Sequence, residues 1–143
     1  MFLYILYTRQ MTTAPSLFTK FVTGELPCHK VYEDDRTLAF LNIFPASDGH
    51  VLVIPKTQVE FVWDLSDDDY AALMATVKRV ARRLRDVFGK PYVGELIVGV
   101  GVPHAHVHLV PFASADEMAA EFQTEKDEAD AALLAAIAKR LSF

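Results

Sequence analysis

Three histidines at alternate positions constrain the fold of this chain more than any other feature. They are three of its five histidines, and they lie in the stretch 99–111: His104, His106 and His108. The residues between them are apolar, and an alternation of period two is typical of a strand with one buried face. The pattern predicts a strand over 102–109 with the three imidazoles on one face, about 6.5–7 Å apart.

Imidazole is the side chain whose ordinary pKa lies closest to neutrality, so a row of three indicates proton transfer, group transfer or metal binding. One or two of the rings could instead be surface histidines on a solvated strand. A histidine-based metal site on a β protein also stays open, because neutral imidazole is a common metal ligand.

The order of residue types in the triplet resembles the signature of the histidine triad family of nucleotide hydrolases and transferases. Four upstream segments are similar to the family in the same order, at 17–27, 31–35, 38–43 and 49–56. The resemblance covers residues 16–112. It implies an α+β fold with an antiparallel sheet of about five strands, one long covering helix and short terminal helices.

The resemblance also implies a mechanism in which His106 attacks phosphorus and forms a covalent nucleotidyl intermediate. A backbone carbonyl of the same strand region is expected to hold the far ring nitrogen of His106. His104 and His108 are expected to flank it, with protonated imidazole or backbone N–H groups stabilising negative charge. His108 is the expected proton partner of the leaving group, and His50 is expected beside the triplet.

The implied protein is an enzyme, a hydrolase or nucleotidyltransferase that cleaves a nucleoside phosphoramidate or a phosphoanhydride of the dinucleoside polyphosphate type. The expected ligand is a purine nucleotide or nucleotide conjugate. Its binding residues, by resemblance, provide apolar walls for the base, a ribose contact and glycines near phosphate: Phe18, Phe21, Leu26, Phe40, Asn42, Ile43, Gly99 and Gly101.

Two of these positions depart from the family pattern. The family usually has Asp where this chain has Asn42, and many members have a hydroxyl where this chain has Gly101. A carboxylate accepts hydrogen bonds from both ribose hydroxyls, whereas an amide offers one acceptor and one donor group. The alternative function is therefore a nucleotide-binding or scaffold protein of the same fold with little or no turnover.

No zinc, other metal or cofactor is expected. Some family members carry a Cys-x-x-Cys pair near the beginning of the domain. This chain has a single cysteine, Cys28, and Thr19 stands where one cysteine of that pair would be expected. A lone thiol suits a reducing compartment, and a cytoplasmic location is expected.

Charge and length limit the partners and the domain count. The 143 residues carry a net charge of −5 without a dense basic run, which argues against nucleic-acid binding. The apolar run within 1–10 is too short to span a bilayer. Residues 1–15 are expected to be a disordered or non-native start, with Met11 as the natural beginning. An extra edge strand or an oligomer contact is the alternative.

The sequence predicts one domain at 16–112 and a helical tail at 113–143 that packs on it. Residues typical of helix ends place the helices within these ranges. Ser16 and Gly24 bound a short first helix, and Ser66 precedes a long helix ending near 88. Thr124 is the predicted cap of the tail helix. The long helix carries a basic face that is either a phosphate patch or a solvated surface: Lys78, Arg79, Arg82, Arg83 and Arg85. A homodimer is expected through this helix and a strand, as in the family.

Overall fold

One antiparallel sheet organises residues 14–123 and 126–143, which are the part of the chain that the computed structural model describes. Within these residues the sheet has five strands in the order β1-β2-β3-β5-β4. The strands are β1 Lys30–Glu33, β2 Thr37–Leu41, β3 Val51–Pro55, β4 Tyr92–Leu96 and β5 Val107–Phe112. The predicted α+β class and the five-stranded antiparallel sheet are confirmed.

A long helix, α2 (Asp67–Phe88), covers one face of the sheet. It begins at its predicted cap, where Ser66 Oγ accepts the N–H of Asp69, and it ends at Gly89 in the left-handed region with φ 64°. Its buried stripe packs on the alternate strand residues that face it, in one apolar core: Leu73, Val77, Val80 and Leu84 against Ala39, Val51, Val53, Val107 and Leu109.

Two further helices follow the sheet, α3 (Ala115–Gln123) and α4 (Ala131–Leu141). The side chain of Asp130 accepts the N–H of Leu133 at 3.0 Å, so Asp130 caps α4. Apolar residues of α4 enter the same core as α2, and the helix packs beside α2 over β1 and β2. Thr124, the predicted cap, lies outside the described residues, as do residues 1–13 of the predicted extension.

The opposite face of the sheet is covered in part by a short helix, α1 (Leu17–Thr23), with the predicted ends at Ser16 and Gly24. A second apolar cluster lies under it: Phe18, Leu38, Phe40, Leu52 and Ile54. Within the described ranges, no helix combines the length and the apolar composition needed to cross a membrane.

The predicted strand over 102–109 is wrong in its bounds, because β5 begins only at Val107. The preceding backbone bonds elsewhere: the N–H of His104 turns back to the carbonyl of Val102 at 2.8 Å, and the N–H of Ala105 reaches Val59 O at 2.6 Å. Pro103 has no N–H to offer a ladder.

Other strand ends also differ by one or two residues from the sequence pattern. The sequence pattern predicts strands over about 37–43 and 92–98, whereas β2 ends at Leu41 and β4 ends at Leu96. β3 begins at Val51 and includes Pro55. These ends depend on where a neighbouring strand stops pairing, which local periodicity does not report.

Candidate active site

The sheet register places the histidines on the face opposite α2. Val107 and Leu109 point into the α2 core, so His108 between them points to the other side. His108 pairs directly with Leu52, a member of the cluster under α1. His106 continues the same alternation although it precedes the strand.

Four imidazoles and one phenyl ring form a continuous row on this face. The ring of Phe18 lies 5.9 Å from that of His104 and 5.4 Å from that of His106, both edge-on. The ring of His106 is 5.1 Å from that of His108, which is 5.2 Å from that of His50. The structure therefore brings together all four histidines that were predicted from the sequence.

His106 is held in one tautomer by its own backbone neighbourhood. Its Nδ1 lies 2.7 Å from the carbonyl oxygen of His104. A carbonyl can only accept, so Nδ1 carries the hydrogen and Nε2 of the neutral ring carries a lone pair. This is the backbone contact predicted from the resemblance, and it places the lone pair of the neutral ring on Nε2 of His106.

His50 and His108 form a pair with a fixed direction. The N–H of Ala46 donates to Nδ1 of His50 at 3.0 Å, so the hydrogen of the neutral ring is on Nε2. That N–H donates to Nδ1 of His108 at 2.9 Å. The hydrogen of neutral His108 is therefore on Nε2, which makes this atom a donor.

Burial keeps both members of this pair neutral near pH 7. Burial, and then the neighbouring His108, lower the pKa of His50 to about 3. Burial, and then the neighbouring His106, lower the pKa of His108 to about 4. The physical cause is the loss of water around the charged form. Negative charge at phosphorus would thus meet a neutral N–H donor of His108 rather than an imidazolium.

His104 differs from the other members of the row. It has no exposed surface, and burial lowers the pKa of its ring. Its Nε2 lies 2.7 Å from the carbonyl oxygen of Pro55, and its Nδ1 lies 2.8 Å from Ser16 Oγ. Both ring nitrogens have protein partners, so the contribution of His104 to the site is its backbone carbonyl, which orients His106.

Three phenyl rings from α1 and β2 form the apolar part of the site. The centroid of Phe40 lies 5.3 Å from that of Phe18 and 5.1 Å from that of Phe21. Such a group of aromatic walls suits a planar base. Leu26 and Ile43 were also predicted as walls, but they are exposed residues that follow α1 and β2.

Asn42, the predicted ribose residue, uses part of its acceptor capacity inside the protein. Its Oδ1 accepts the N–H of Phe44 at 2.9 Å. The half-buried side chain keeps a second lone pair on Oδ1 and the amide NH₂ for other partners. Asn42 therefore offers one acceptor site and a donor group where the family's carboxylate offers only acceptors.

The two glycines before the triplet have left-handed backbones, with φ 74° at Gly99 and φ 89° at Gly101. A Cβ on Gly99 would lie 3.4 Å from the ring of Phe61, whereas one on Gly101 would meet nothing within 4 Å. There is thus room for a side chain at Gly101, but the left-handed backbone would strain any residue with a Cβ. The backbone conformation therefore accounts for a glycine at this position.

The described residues offer no evident metal centre. Across 14–123 and 126–143, no group of three or more His, Cys, Asp and Glu side chains is placed to hold a metal ion. Burial raises the pKa of Cys28 to about 11, so its thiol is protonated at neutral pH.

Sequence reasoning missed three residues that organise the histidines. Ser16 was identified only as a helix cap, and neither Gln58 nor Ala46 carried a signal. Ser16 and His104 are 88 positions apart, so only a long-range contact relates them. Ala46 acts through its backbone N–H, and every residue except proline has such a group, so the residue type gives no signal of this contact.

An antiparallel α+β domain with four clustered histidines beside three phenyl rings agrees with the resemblance seen in the sequence, and the comparisons with known proteins identify the family. The family model described as HIT domain matches residues 23–115. The chain belongs to the HIT family.

Individual relatives agree with this assignment. The protein named hit of Bacillus subtilis is 36% identical over 118 residues, which cover 78% of this chain and 81% of that one. The adenosine 5′-monophosphoramidase hnt1 of Schizosaccharomyces pombe is 36% identical over 96 residues, 66% of this chain and 72% of that one. A crystal structure of a Hit-like protein from Bartonella henselae superposes with a TM-score of 0.77 at 25% identity, covering 88% of this chain and 93% of that one.

Proposed function

We propose that this protein is a hydrolase or nucleotidyltransferase that cleaves a nucleoside phosphoramidate or phosphoanhydride through a covalent intermediate on His106. The observation that carries the proposal is the pair of opposite tautomers. Nε2 of His106 holds a lone pair, and the neighbouring ring of His108 presents an Nε2–H. The adenosine 5′-monophosphoramidase among the relatives supports the choice of a purine nucleotide conjugate.

In the first step, Nε2 of His106 forms a bond to phosphorus while the bond from phosphorus to the leaving nitrogen or oxygen breaks. The Nε2–H of His108 hydrogen-bonds to the leaving atom, which takes up one proton from water. In the second step, water attacks phosphorus, the N–P bond breaks and the lone pair returns to His106. The attacking water loses one proton, so the two steps balance.

A second candidate function is nucleotide binding with little or no turnover. The contact between Asn42 Oδ1 and the N–H of Phe44 favours it, because this contact occupies one of the two lone pairs of the only acceptor atom that Asn42 can offer to the ribose. A poorly anchored ribose would leave phosphorus less well aligned with His106.

One experiment separates these candidates. Nucleoside phosphoramidates and dinucleoside polyphosphates are screened as substrates with the wild-type protein and with His106→Ala, and the quenched reactions are examined by mass spectrometry and phosphorus-31 NMR. A nucleotidyl adduct on His106 with turnover supports the enzyme. Nucleotide binding without an adduct or turnover for any substrate contradicts it and leaves the binding protein.

We further propose that the protein acts as a homodimer. β4 is the last strand in the sheet order, and large apolar side chains on it and after it are exposed, including Tyr92, Ile97 and Val98. Among the residues that the structure describes, no strand pairs with the outer edge of β4, and an open strand edge favours association. Light scattering at micromolar concentration should give twice the chain mass, and a monomer mass would contradict the proposal.

A further inference from the structure

A closed cluster of hydrogen bonds joins the beginning of α1 to the side chain of His104. We name Ser16, Thr19, Gln58 and His104 the α1 clamp. Ser16 Oγ lies 2.8 Å from Nδ1 of His104 and accepts the N–H of Thr19 at 3.0 Å. Oε1 of Gln58 accepts the N–H of Ser16 at 2.8 Å and the hydroxyl of Thr19 at 2.5 Å. The amide of Gln58 donates to the carbonyl of Ala14 at 2.9 Å.

The donors and acceptors of the α1 clamp fit one arrangement of protons. The carbonyl of Pro55 can only accept, so Nε2 of His104 carries the hydrogen and Nδ1 accepts from the hydroxyl of Ser16. The hydroxyl of Thr19 donates to Gln58, because the amide oxygen can only accept. His104 is thereby held as a neutral ring in one tautomer and one orientation.

We propose that Ser16, Thr19 and Gln58 are positioning residues that orient the nucleophilic ring of His106 through His104. The inference rests on the proposed function, since it assigns these three residues to the same reaction. They act through His104 rather than on the reacting atoms.

Two contacts connect the α1 clamp to the ring of His106. The carbonyl of His104 accepts the Nδ1–H of His106 at 2.7 Å, and the ring of the same residue is fixed at both nitrogens. Phe18, which lies on α1 between the clamp residues Ser16 and Thr19, packs edge-on against the rings of His104 and His106. If the α1 clamp loosened, two groups would move together: the ring of Phe18, which is a proposed wall for the base, and the carbonyl of His104, which accepts the Nδ1–H of His106.

The test compares two helix caps of the same chain. Ser16→Ala and Ser66→Ala each remove a hydroxyl that accepts the N–H three residues later, but only Ser16 also bonds to a histidine. Ser16→Ala should lower kcat about ten- to a hundredfold, as expected for a misplaced reacting group. Ser66→Ala should leave kcat within about twofold, and Ser16→Thr, which keeps the hydroxyl, should recover most of the loss.

Nitrogen-15 NMR of the histidine rings gives a readout that does not need turnover. The wild-type protein should show an Nε2–H ring at His104 and an Nδ1–H ring at His106. In Ser16→Ala and in Gln58→Leu, His106 should lose its single-tautomer spectrum while the backbone amide spectrum stays folded. An unchanged His106 spectrum in both folded variants overturns the proposal, as does an unchanged kcat.

The same measurements separate this proposal from the proposed function. Absence of turnover in the wild-type protein contradicts the function and not the α1 clamp, which the NMR spectra still test. Turnover through His106 that is indifferent to Ser16→Ala contradicts the clamp and leaves the function standing.

Discussion

The two faces of the sheet follow different physical rules. Under α2 and α4 the packing is mainly apolar, with Leu73, Val80 and Leu109 without exposed surface. Under α1 the sheet carries histidines that are oriented by hydrogen bonds to their ring nitrogens, as in the His50–His108 pair. Apolar packing depends on volume and area, whereas the histidine face depends on the direction of hydrogen bonds.

Backbone groups set the order on the histidine face. The N–H of Ala46 and the carbonyls of Pro55 and His104 each contact an imidazole nitrogen. Backbone N–H and carbonyl groups do not titrate near neutral pH. Each therefore fixes which nitrogen of the neutral imidazole it contacts carries the hydrogen. No buried side-chain nitrogen or oxygen in the described residues lacks a partner. The larger apolar core and the proposed reaction site thus lie on opposite sides of one sheet, and substitutions can test whether the two sides act independently.

The largest effect is expected on the histidine face. His106→Gly should lower turnover by at least about a thousandfold, because it removes the nucleophile. Nucleotide binding, measured by calorimetry, should remain within a few-fold, since the walls formed by Phe18 and Phe40 are untouched. His29→Ala, a histidine outside the row of rings, is the control. Turnover of His106→Gly close to wild type would exclude His106 as the nucleophile.

The α2 face should show the reverse behaviour. Leu73→Ala removes a fully buried side chain and should lower the free energy of unfolding by about 2–5 kcal/mol, measured in urea. The kcat per folded molecule should not change, because the site lies across the sheet. Leu133→Ala, an exposed leucine on α4, is the matched control and should cost little. A large fall in kcat with Leu73→Ala would mean that the two faces are coupled.

The apolar face was the more predictable of the two from sequence. The bounds of α2 were predicted correctly because Ser66, Gly89 and the three- and four-residue spacing of its buried stripe are local signals. The sequence also predicted that His106 and His108 point to the same face of the sheet. The side chains already alternate between the two faces in the residues that precede β5. The bounds of the triplet strand were not, because they depend on which distant carbonyl takes the N–H of Ala105.

The partners of the histidines were beyond the reach of local reasoning. The clustering of His50 with the triplet was predicted from the resemblance, but its donor, the N–H of Ala46, was not. His104 was predicted to flank His106, with protonated imidazole or backbone N–H groups stabilising negative charge, whereas both of its ring nitrogens bond to protein, one of them to Ser16. Such contacts join residues far apart in the chain and follow from the fold as a whole.

Acid should lower the stability of the fold through the buried histidines His50 and His108. The folded protein holds the pKa of His50 at about 3 and that of His108 at about 4, below the ordinary 6.5. Between pH 6.5 and these values the unfolded chain binds protons that the folded chain does not, so stability present above pH 6.5 is lost as the pH falls. His50→Phe should reduce the slope of unfolding free energy against pH by up to about 1.4 kcal/mol per unit.

The control for this slope comes from the other face. Leu73→Ala should lower the unfolding free energy by a similar amount at each pH and leave the slope unchanged, because no titrating group is removed. Urea titrations at several values between pH 4 and pH 7 measure both variants. An unchanged slope in His50→Phe would show that His50 is not a buried neutral ring.

The smallest expected effect concerns the ribose. In Asn42→Asp, one carboxylate oxygen can keep the bond to the N–H of Phe44, and the other becomes an acceptor where Asn42 has a donor. A hydrogen bond to a charged acceptor is worth about 1.5–3 kcal/mol against about 0.5–1.5 for a neutral one. A gain of about 1.4 kcal/mol corresponds to about tenfold tighter ribonucleotide binding, which calorimetry measures.

A 2′,3′-dideoxynucleotide is the control ligand, because it lacks both hydroxyls that the new carboxylate oxygen would accept. It should gain nothing from Asn42→Asp, so the ratio of the two affinities isolates the ribose contact. Equal gains for both ligands would place residue 42 away from the ribose. Weaker ribonucleotide binding would show that the amide NH₂ of Asn42 already donates to the ligand, and the natural substrate would then present an acceptor where an ordinary ribonucleotide presents a hydroxyl donor.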